Sequence, residues 1–268
     1  MPNTVFITGS SSGFGEALVE AYAAAGWNVT ATARNLSKIP AHFAHLPNVL
    51  VHHLDVNDES SIERALSAHR DRFGGLNVLI NAAGYTQVGN LEELSIDDIR
   101  SVFETNFFGM LAVTKAVLPA FRAQGCGHII NFSSLAGTVG LPGVSSYSAS
   151  KWAVEGYSEA LSRDTAHLGI KVTIIEPGLF ATGLSDSALR PDSTIAAYWT
   201  PDSATNDIWF DRTVGNLQAS AQAIVSISGS PEAPLRLYVG RSLDYVRRYT
   251  QQRLDEWSRW EELTNTTF

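Results

Sequence analysis

Thr4-Val5-Phe6-Ile7-Thr8-Gly9-Ser10-Ser11-Ser12-Gly13-Phe14-Gly15 runs from a short apolar stretch, through a turn holding three glycines, into a segment with apolar residues at helical spacing. A strand that ends in such a turn and opens a helix presents backbone N–H groups and the positive end of the helix dipole at one point, which suits a pyrophosphate. Glycine lets the chain turn tightly and approach the ligand closely. The spacing is G-x-x-x-G-x-G, so the position after a strand carries more weight than the pattern alone. Gly9, Ser11, Ser12, Gly13, Phe14 and Gly15 are therefore candidate phosphate-binding residues. The same stretch fits G-x-S-x-G, with Ser11 as a hydrolase nucleophile. That elbow normally follows several strands and needs an acid and a histidine after it, which disfavours it on a first strand.

Outward from this turn, runs rich in β-branched residues alternate with segments of helical period. Thr4 to Thr8, Asn28 to Ala33, Val49 to Leu54, Val78 to Asn81, His128 to Phe132, Val172 to Glu176 and Arg236 to Val239 read as strands. Stretches 14–25, 59–73, 96–123 and 147–167 carry apolar residues three and four apart. The alternation predicts an α/β fold, a doubly wound seven-stranded parallel sheet with helices on both faces. Residues 183–214 break the pattern, since Pro191 and Pro201 interrupt a polar region that still holds Tyr198, Trp199, Trp209 and Phe210. A long irregular segment of this kind reads as a lid over a site, with a surface excursion as the alternative. Residues 242–263 read as a final helix of balanced charge, expected to pack on the domain or on a second subunit.

The length of 268 residues suits one α/β domain spanning 1–268. Nineteen basic against 27 acidic residues give a formal charge of −8 with scattered cations, which excludes the footprint of a nucleic-acid binder. No apolar run approaches the length of a membrane span. Cys126 is the single cysteine, so neither an internal disulfide nor a cysteine-ligated zinc is expected. His42, His45, His52 and His53 lack carboxylate or cysteine companions at ligand spacing, so no metal site is expected. These readings together favour a cytoplasmic protein.

At the end of the second strand, where a carboxylate would bind the ribose of NAD, the sequence reads Thr32-Ala33-Arg34-Asn35. An acid is missing and a guanidinium is present, which favours the 2′-phosphate of NADP(H). Further on, Tyr147-Ser148-Ala149-Ser150-Lys151 places a phenol and an ammonium four residues apart, on one helix face. An ammonium beside a phenol favours the phenolate and brings its pKa toward a useful range. Ser134 stands thirteen residues before Tyr147, at the end of the fifth strand.

T-G-x-x-x-G-x-G, Asn81-Ala82-Ala83-Gly84, Ser134, Y-x-x-x-K and Pro177-Gly178 follow one another in an order that resembles the short-chain dehydrogenase/reductase family. The resemblance covers nearly the whole chain. It implies a single domain of that family, with Tyr147 exchanging a proton with the substrate oxygen. Lys151 would bind the nicotinamide ribose and lower the phenol's pKa, and Ser134, with Ser133 as competitor, would hold the substrate oxygen. Asn106, on the fourth helix, would support a proton-relay water. The resemblance further implies cofactor contacts by Asp55 and its neighbour Val56, by Asn81, Ala82 and Gly84, and by Pro177, Gly178 and Thr182. Asp55 would contact the adenine, Asn81 and Gly84 would line the adenosine side, and Thr182 would meet the carboxamide. It also places substrate specificity after Pro177-Gly178 and near the C-terminus. There the aromatic residues suggest a bulky, apolar or aromatic carbonyl compound and an enzyme of carbonyl reductase or alcohol dehydrogenase type. Trp152 is expected to point into helix packing, and a homo-oligomer, dimer or tetramer, is left open. The competing reading is a regulator that binds NADP(H) without turnover.

Overall fold

The computed structural model describes residues 3–182, 188–191, 194–198 and 214–267. The seven strands are β1 (Thr4–Thr8), β2 (Asn28–Ala33), β3 (Val49–His53), β4 (Val78–Asn81), β5 (Gly127–Phe132), β6 (Ile170–Pro177) and β7 (Arg236–Val239). They form one parallel sheet in the order β3-β2-β1-β4-β5-β6-β7. The chain steps outward from β1 to β3, returns to the other side of β1 with β4, and then steps outward again. This reversal opens a crevice at the carboxyl ends of β1 and β4, the place where open α/β sheets bind ligands.

Successive residues along a strand face opposite sides of the sheet, and the two cores follow from that. Val5, Ile7, Val78 and Ile80 face α1 (Gly13–Ala24) and α6 (Leu217–Ile227), where Leu18, Tyr22, Ala221 and Ile224 are buried against them. Phe6, Leu79 and Ile129 face the opposite layer of α2 (Glu59–Phe73), α4 (Met110–Gln124) and α5 (Ser145–Thr165), through Ile62, Val113, Phe121 and Leu161. Local sequence sets the ends of these helices. Asp58 accepts a hydrogen bond from the Ser60 N–H at 2.9 Å to start α2, and Gly74, at φ +84°, ends it.

Three segments differ from the sequence expectation. The predicted helix 96–123 is α3 (Ile96–Phe103) and α4 joined by a π-helical turn at Glu104–Gly109. One extra residue enters the helical repeat there, which period counting does not see. Helix α6 lies in a stretch with no assigned element, although Asn216 caps it by accepting from the Ala219 N–H at 2.9 Å, and Leu217, Ala221 and Ile224 keep helical spacing. The final helix is α7 (Leu243–Arg259) and α8 (Glu261–Asn265), broken at Trp260. Its first turns dock, with Tyr245, Val246 and Tyr249 packed against Leu135, Leu141 and Tyr147. Trp257, Trp260 and Leu263 are exposed. Trp152, expected inside helix packing, is 37% exposed, with the Arg253 guanidinium of α7 over its ring at 5.1 Å. Its neighbour Lys151 is buried toward the cleft, so a side chain about 100° further round α5 faces outward. Of the aromatic residues in 183–214, Trp199, Trp209 and Phe210 lie outside the described residues. Tyr198 is described and exposed. Among the described residues no helix is long and apolar enough to cross a membrane.

Candidate active site

A cleft of about 390 Å³ runs across the carboxyl ends of the strands, from the glycine turn after β1 to the start of α5. Gly9 has φ +75°, and a Cβ there would sit 2.7 Å from the Ala83 Cα, so the turn after β1 and the exit of β4 are in backbone contact. A Cβ on Gly15 would collide with the Gly9 carbonyl oxygen. The Thr8 hydroxyl accepts from the Ala82 and Ala83 N–H groups at 3.1 and 3.0 Å, tying the same two loops together. Buried Ser10 fastens the turn to β2, its N–H donating to the Thr32 carbonyl at 2.8 Å. Ser11, Ser12, Gly13 and Phe14 line the cleft at the N-terminus of α1. The Phe14 ring packs on Phe132 and Phe180 at 5.2 and 4.7 Å, so the turn, the end of β5 and the loop after β6 share one aromatic contact. Only glycines let these segments approach so closely, and a turn at a helix N-terminus of this kind suits a dinucleotide phosphate.

Arg34 lines one end of this cleft, as does Lys38, which sequence reasoning passed over although it stands only four residues further on. Both are exposed. Val56, Ala82, Gly84, Pro177, Gly178 and Thr182 also line the cleft. Thr182 reaches back to the glycine turn, since a Cβ on Gly13 would meet its Cβ at 2.9 Å.

Asp55 and Asn81 do not line the cleft, contrary to expectation. The Asp55 carboxylate accepts from the Asn57 N–H at 3.0 Å, in a turn whose apolar neighbours Leu54 and Val56 face the cleft instead. The Asn81 amide donates to Asn131 at 2.9 Å and to Thr114 at 3.0 Å, and Asn131 donates to Ser158 at 2.9 Å. That buried polar row links β4 and β5 to α4 and α5. Asn81 serves the scaffold beneath the cleft, with its neighbours Ala82, Ala83 and Gly84 as the lining residues.

The far end gathers Ser134, Tyr147 and Lys151. Ser134 opens a tight turn by accepting from the Ala136 N–H at 3.1 Å, which leaves its own proton free to donate. Its hydroxyl lies near enough to the Tyr147 phenol to favour the phenolate. Lys151 lies one turn after Tyr147 on α5, its Nζ 5.8 Å from the ring centre and donating to the Phe132 carbonyl at 2.8 Å. Burial pushes the Tyr147 phenol up, and Ser134 only partly offsets this. Burial also pulls the Lys151 ammonium down to about 8, against the opposing charge of Glu155. The net direction at Tyr147 is opposite to the expected lowering by Lys151. Both groups are almost dry, and desolvation of the phenolate sets the direction.

Asn106 sits in the π-helical turn rather than on the regular helix expected. Its amide clamps the backbone of Tyr85, accepting from the N–H at 3.0 Å and donating to the carbonyl at 2.9 Å, and also donates to Ser150 at 3.2 Å. A Cβ on Gly84 would lie 3.0 Å from Asn106 Oδ1 and 3.7 Å from Lys151 Nζ, so the asparagine and the lysine flank the same glycine. Ser133, the competitor of Ser134, turns its hydroxyl toward Glu155. Residues that sequence reasoning missed include Leu141 and Val144, which pack in one apolar cluster with Tyr147, Leu179, which lines the cleft after β6, and Ser242, at φ +83° before α7. Only distant parts of the chain bring these together, and no local motif marks them.

Comparison with known proteins agrees with this geometry. The short chain dehydrogenase family model matches residues 3–192. An oxidoreductase of Botryotinia fuckeliana, BOA17, is 34% identical over 275 residues, covering 97% of each chain. A 3-ketodihydrosphingosine reductase of Bacteroides thetaiotaomicron is 39% identical over 186 residues, covering 69% of this chain and 67% of its own length. A solved short-chain dehydrogenase from Streptomyces avermitilis superposes with a TM-score of 0.91 at 34% identity, over 100% of this chain and 99% of that one. With the parallel sheet, the glycine cradle and the Ser-Tyr-Lys cluster in one cleft, these matches show that the chain belongs to the short-chain dehydrogenase family of oxidoreductases.

Proposed function

We propose that the protein is an NADP(H)-dependent oxidoreductase acting on the ketone and secondary alcohol forms of a bulky, largely apolar compound. The observation that carries this reading is one cleft that joins the glycine cradle and Arg34 to Ser134, Tyr147 and Lys151. The turn at the N-terminus of α1 suits a dinucleotide phosphate, and Arg34 and Lys38, which line the cleft, are cations suited to a 2′-phosphate. When bound, the nicotinamide supplies the hydride for the carbonyl carbon, or takes it from the carbinol carbon in reverse.

Every other step belongs to residues of this chain. The Ser134 hydroxyl donates to the substrate oxygen and fixes it as negative charge develops there. Tyr147 Oη gives its proton to that oxygen, and in reverse its phenolate takes the proton from the alcohol. Burial holds the phenol protonated at neutral pH, which favours its service as a proton donor. Lys151, tethered to the Phe132 carbonyl, places a positive charge beside Tyr147 and stabilises the phenolate left after transfer. Asn106 fixes the Gly84-Tyr85 backbone next to that ammonium. Leu141, Val144 and Leu179 exclude water on the substrate side. They suit an apolar carbonyl compound, as does the 3-ketodihydrosphingosine named for the Bacteroides relative.

Purified protein should consume NADPH with long-chain or aromatic ketones, and reduce NADP+ with the matching alcohols. Turnover with small sugars or hydroxy acids alone would overturn the substrate class. NADPH binding without turnover of any member of the panel would favour the regulator reading.

A further inference from the structure

The end of the chain leaves the domain. Helix α7 docks through Tyr245, Val246 and Tyr249, and from Leu254 to Thr267 every residue is exposed. The docked stripe continues past that edge. Arg253, Trp257 and Trp260 follow Tyr249 at steps of four, four and three residues, so they keep to the face that docks further back. Trp257 and Trp260 are 63% and 61% exposed. Leu254 and Leu263, each three residues from a tryptophan, extend the apolar surface and are exposed as well. The Arg253 guanidinium lies over the Trp257 ring at 5.5 Å and over the Trp152 ring of α5 at 5.1 Å, so the patch starts at the edge of the domain. Grouped indoles and leucines in water mark a contact surface.

Charge along the same segment says what covers it. From Tyr245 to Arg253 the helix holds Arg247, Arg248 and Arg253 and no acid, whereas Asp255, Glu256, Glu261 and Glu262 stand against Arg259 alone in the next stretch. Leu254 is the point of change. A lone helix gains little from such a gradient, because the dipole acts on the end turns, and these already hold Asp244 and Arg259. Nor is the gradient neutralised within the helix. Arg247 pairs with Asp244, while Arg248, Glu256, Glu261 and Glu262 make no ion pair among the described residues. We propose that the exposed reach of α7 and α8 is a contact surface for a second copy of this chain, laid antiparallel about a two-fold axis near Leu254. Arg247 and Glu261 each stand seven residues from Leu254, so the basic half of each copy meets the acidic half of the other, and every contact occurs twice. A parallel copy would set arginine on arginine. The same arrangement covers the indoles, which suit the core of an interface. A lipid surface fits less well, since helices that lie on membranes carry excess Lys and Arg and this stretch is acidic around its tryptophans.

Sedimentation velocity of the full chain, without cofactor or substrate, tests this. Wild type should be a dimer at micromolar concentration, and Trp257→Glu combined with Trp260→Glu should be a monomer with its circular dichroism retained. Should that variant not fold, the charges carry the test. Arg247→Glu with Arg248→Glu, and separately Glu261→Arg with Glu262→Arg, set like charges against each other and should each weaken the dimer about tenfold. All four substitutions in one chain exchange the two halves and should restore the wild-type affinity. A monomeric wild type, a dimer that neither charge pair weakens, or a four-site chain as weak as the two-site variants would overturn the proposal. A monomeric wild type that sediments with phosphatidylcholine vesicles would overturn it in favour of a lipid surface. The measurement involves no turnover, so failure to reduce any ketone would sink the proposed reaction alone.

Discussion

At the glycine-turn end of the cleft, Arg34 and Lys38 stand exposed on the loop after β2, while at the other end Tyr147 and Lys151 expose less than a tenth of their surface. The exposed cations act through water and mobile ions, where a charge pair contributes little and salt screens it. The buried pair acts through a medium of low polarisability, where the same charges move proton equilibria by units. In the proposed reaction, cofactor selectivity and proton transfer would therefore have different physical origins within one cleft, and substitutions at the two ends should differ in size and in salt dependence.

The largest effect is expected at the buried end. Tyr147→Phe removes the proton donor and should cut turnover by roughly a thousandfold, with NADPH affinity, read by fluorescence titration, little changed. Equal rates would show that the phenol is not the donor. Gly15→Ala, at the base of the cradle, drives a methyl group into the Gly9 carbonyl oxygen. A loss of about 3 kcal/mol in urea unfolding is expected, together with weakened NADPH binding. Full retention of both would contradict the close approach of these loops.

Next in size is a gain of stability. The folded-state value of Lys151, about 8, lies below the ordinary lysine value. Below pH 8 both folded and unfolded chains hold this proton, and the folded state bears the full cost of the buried charge. Between pH 8 and the ordinary lysine range the unfolded chain binds more protons, so stability rises with pH there. Lys151→Met should thus be more stable than wild type at pH 7, by on the order of 2 kcal/mol, and its advantage should shrink above pH 8. A destabilised variant at pH 7 would mean that the tether to Phe132 outweighs desolvation. The smallest effect belongs to the exposed end. Arg34→Ala should weaken NADPH about tenfold at low salt, or ~1.4 kcal/mol, less at high salt, and leave NADH unchanged. Equal loss for both cofactors would remove the 2′-phosphate argument.

The same contrast explains what could be seen in the sequence. The limits of β1, β2, β4 and β7 coincide with the apolar runs, because alternate residues of the central strands enter the two cores on either face of the sheet. The glycine turn and the Tyr147–Lys151 spacing were legible because each is a local geometry. Asn81 and Asp55 looked like cleft residues by position, yet the Asn81 amide donates to the Thr114 hydroxyl and the Asn131 amide oxygen, which only the folded chain brings near, and Asp55 accepts from the Asn57 N–H in a local turn. The upward displacement of Tyr147 was hidden for the same reason, since desolvation depends on everything packed around the phenol. The π-helical turn at Asn106 keeps apolar residues at ordinary spacing and leaves no periodic mark.

The most direct test of the account follows the hydride and the proton together. A ketone that the protein accepts would be reduced with NADPH deuterated at the transferred nicotinamide position, using wild type and Tyr147→Phe in parallel, and the alcohol analysed by mass spectrometry. The account predicts deuterium on the carbinol carbon with wild type and almost no labelled alcohol with the variant. Equal labelling by both proteins, or an alcohol without deuterium, would contradict it.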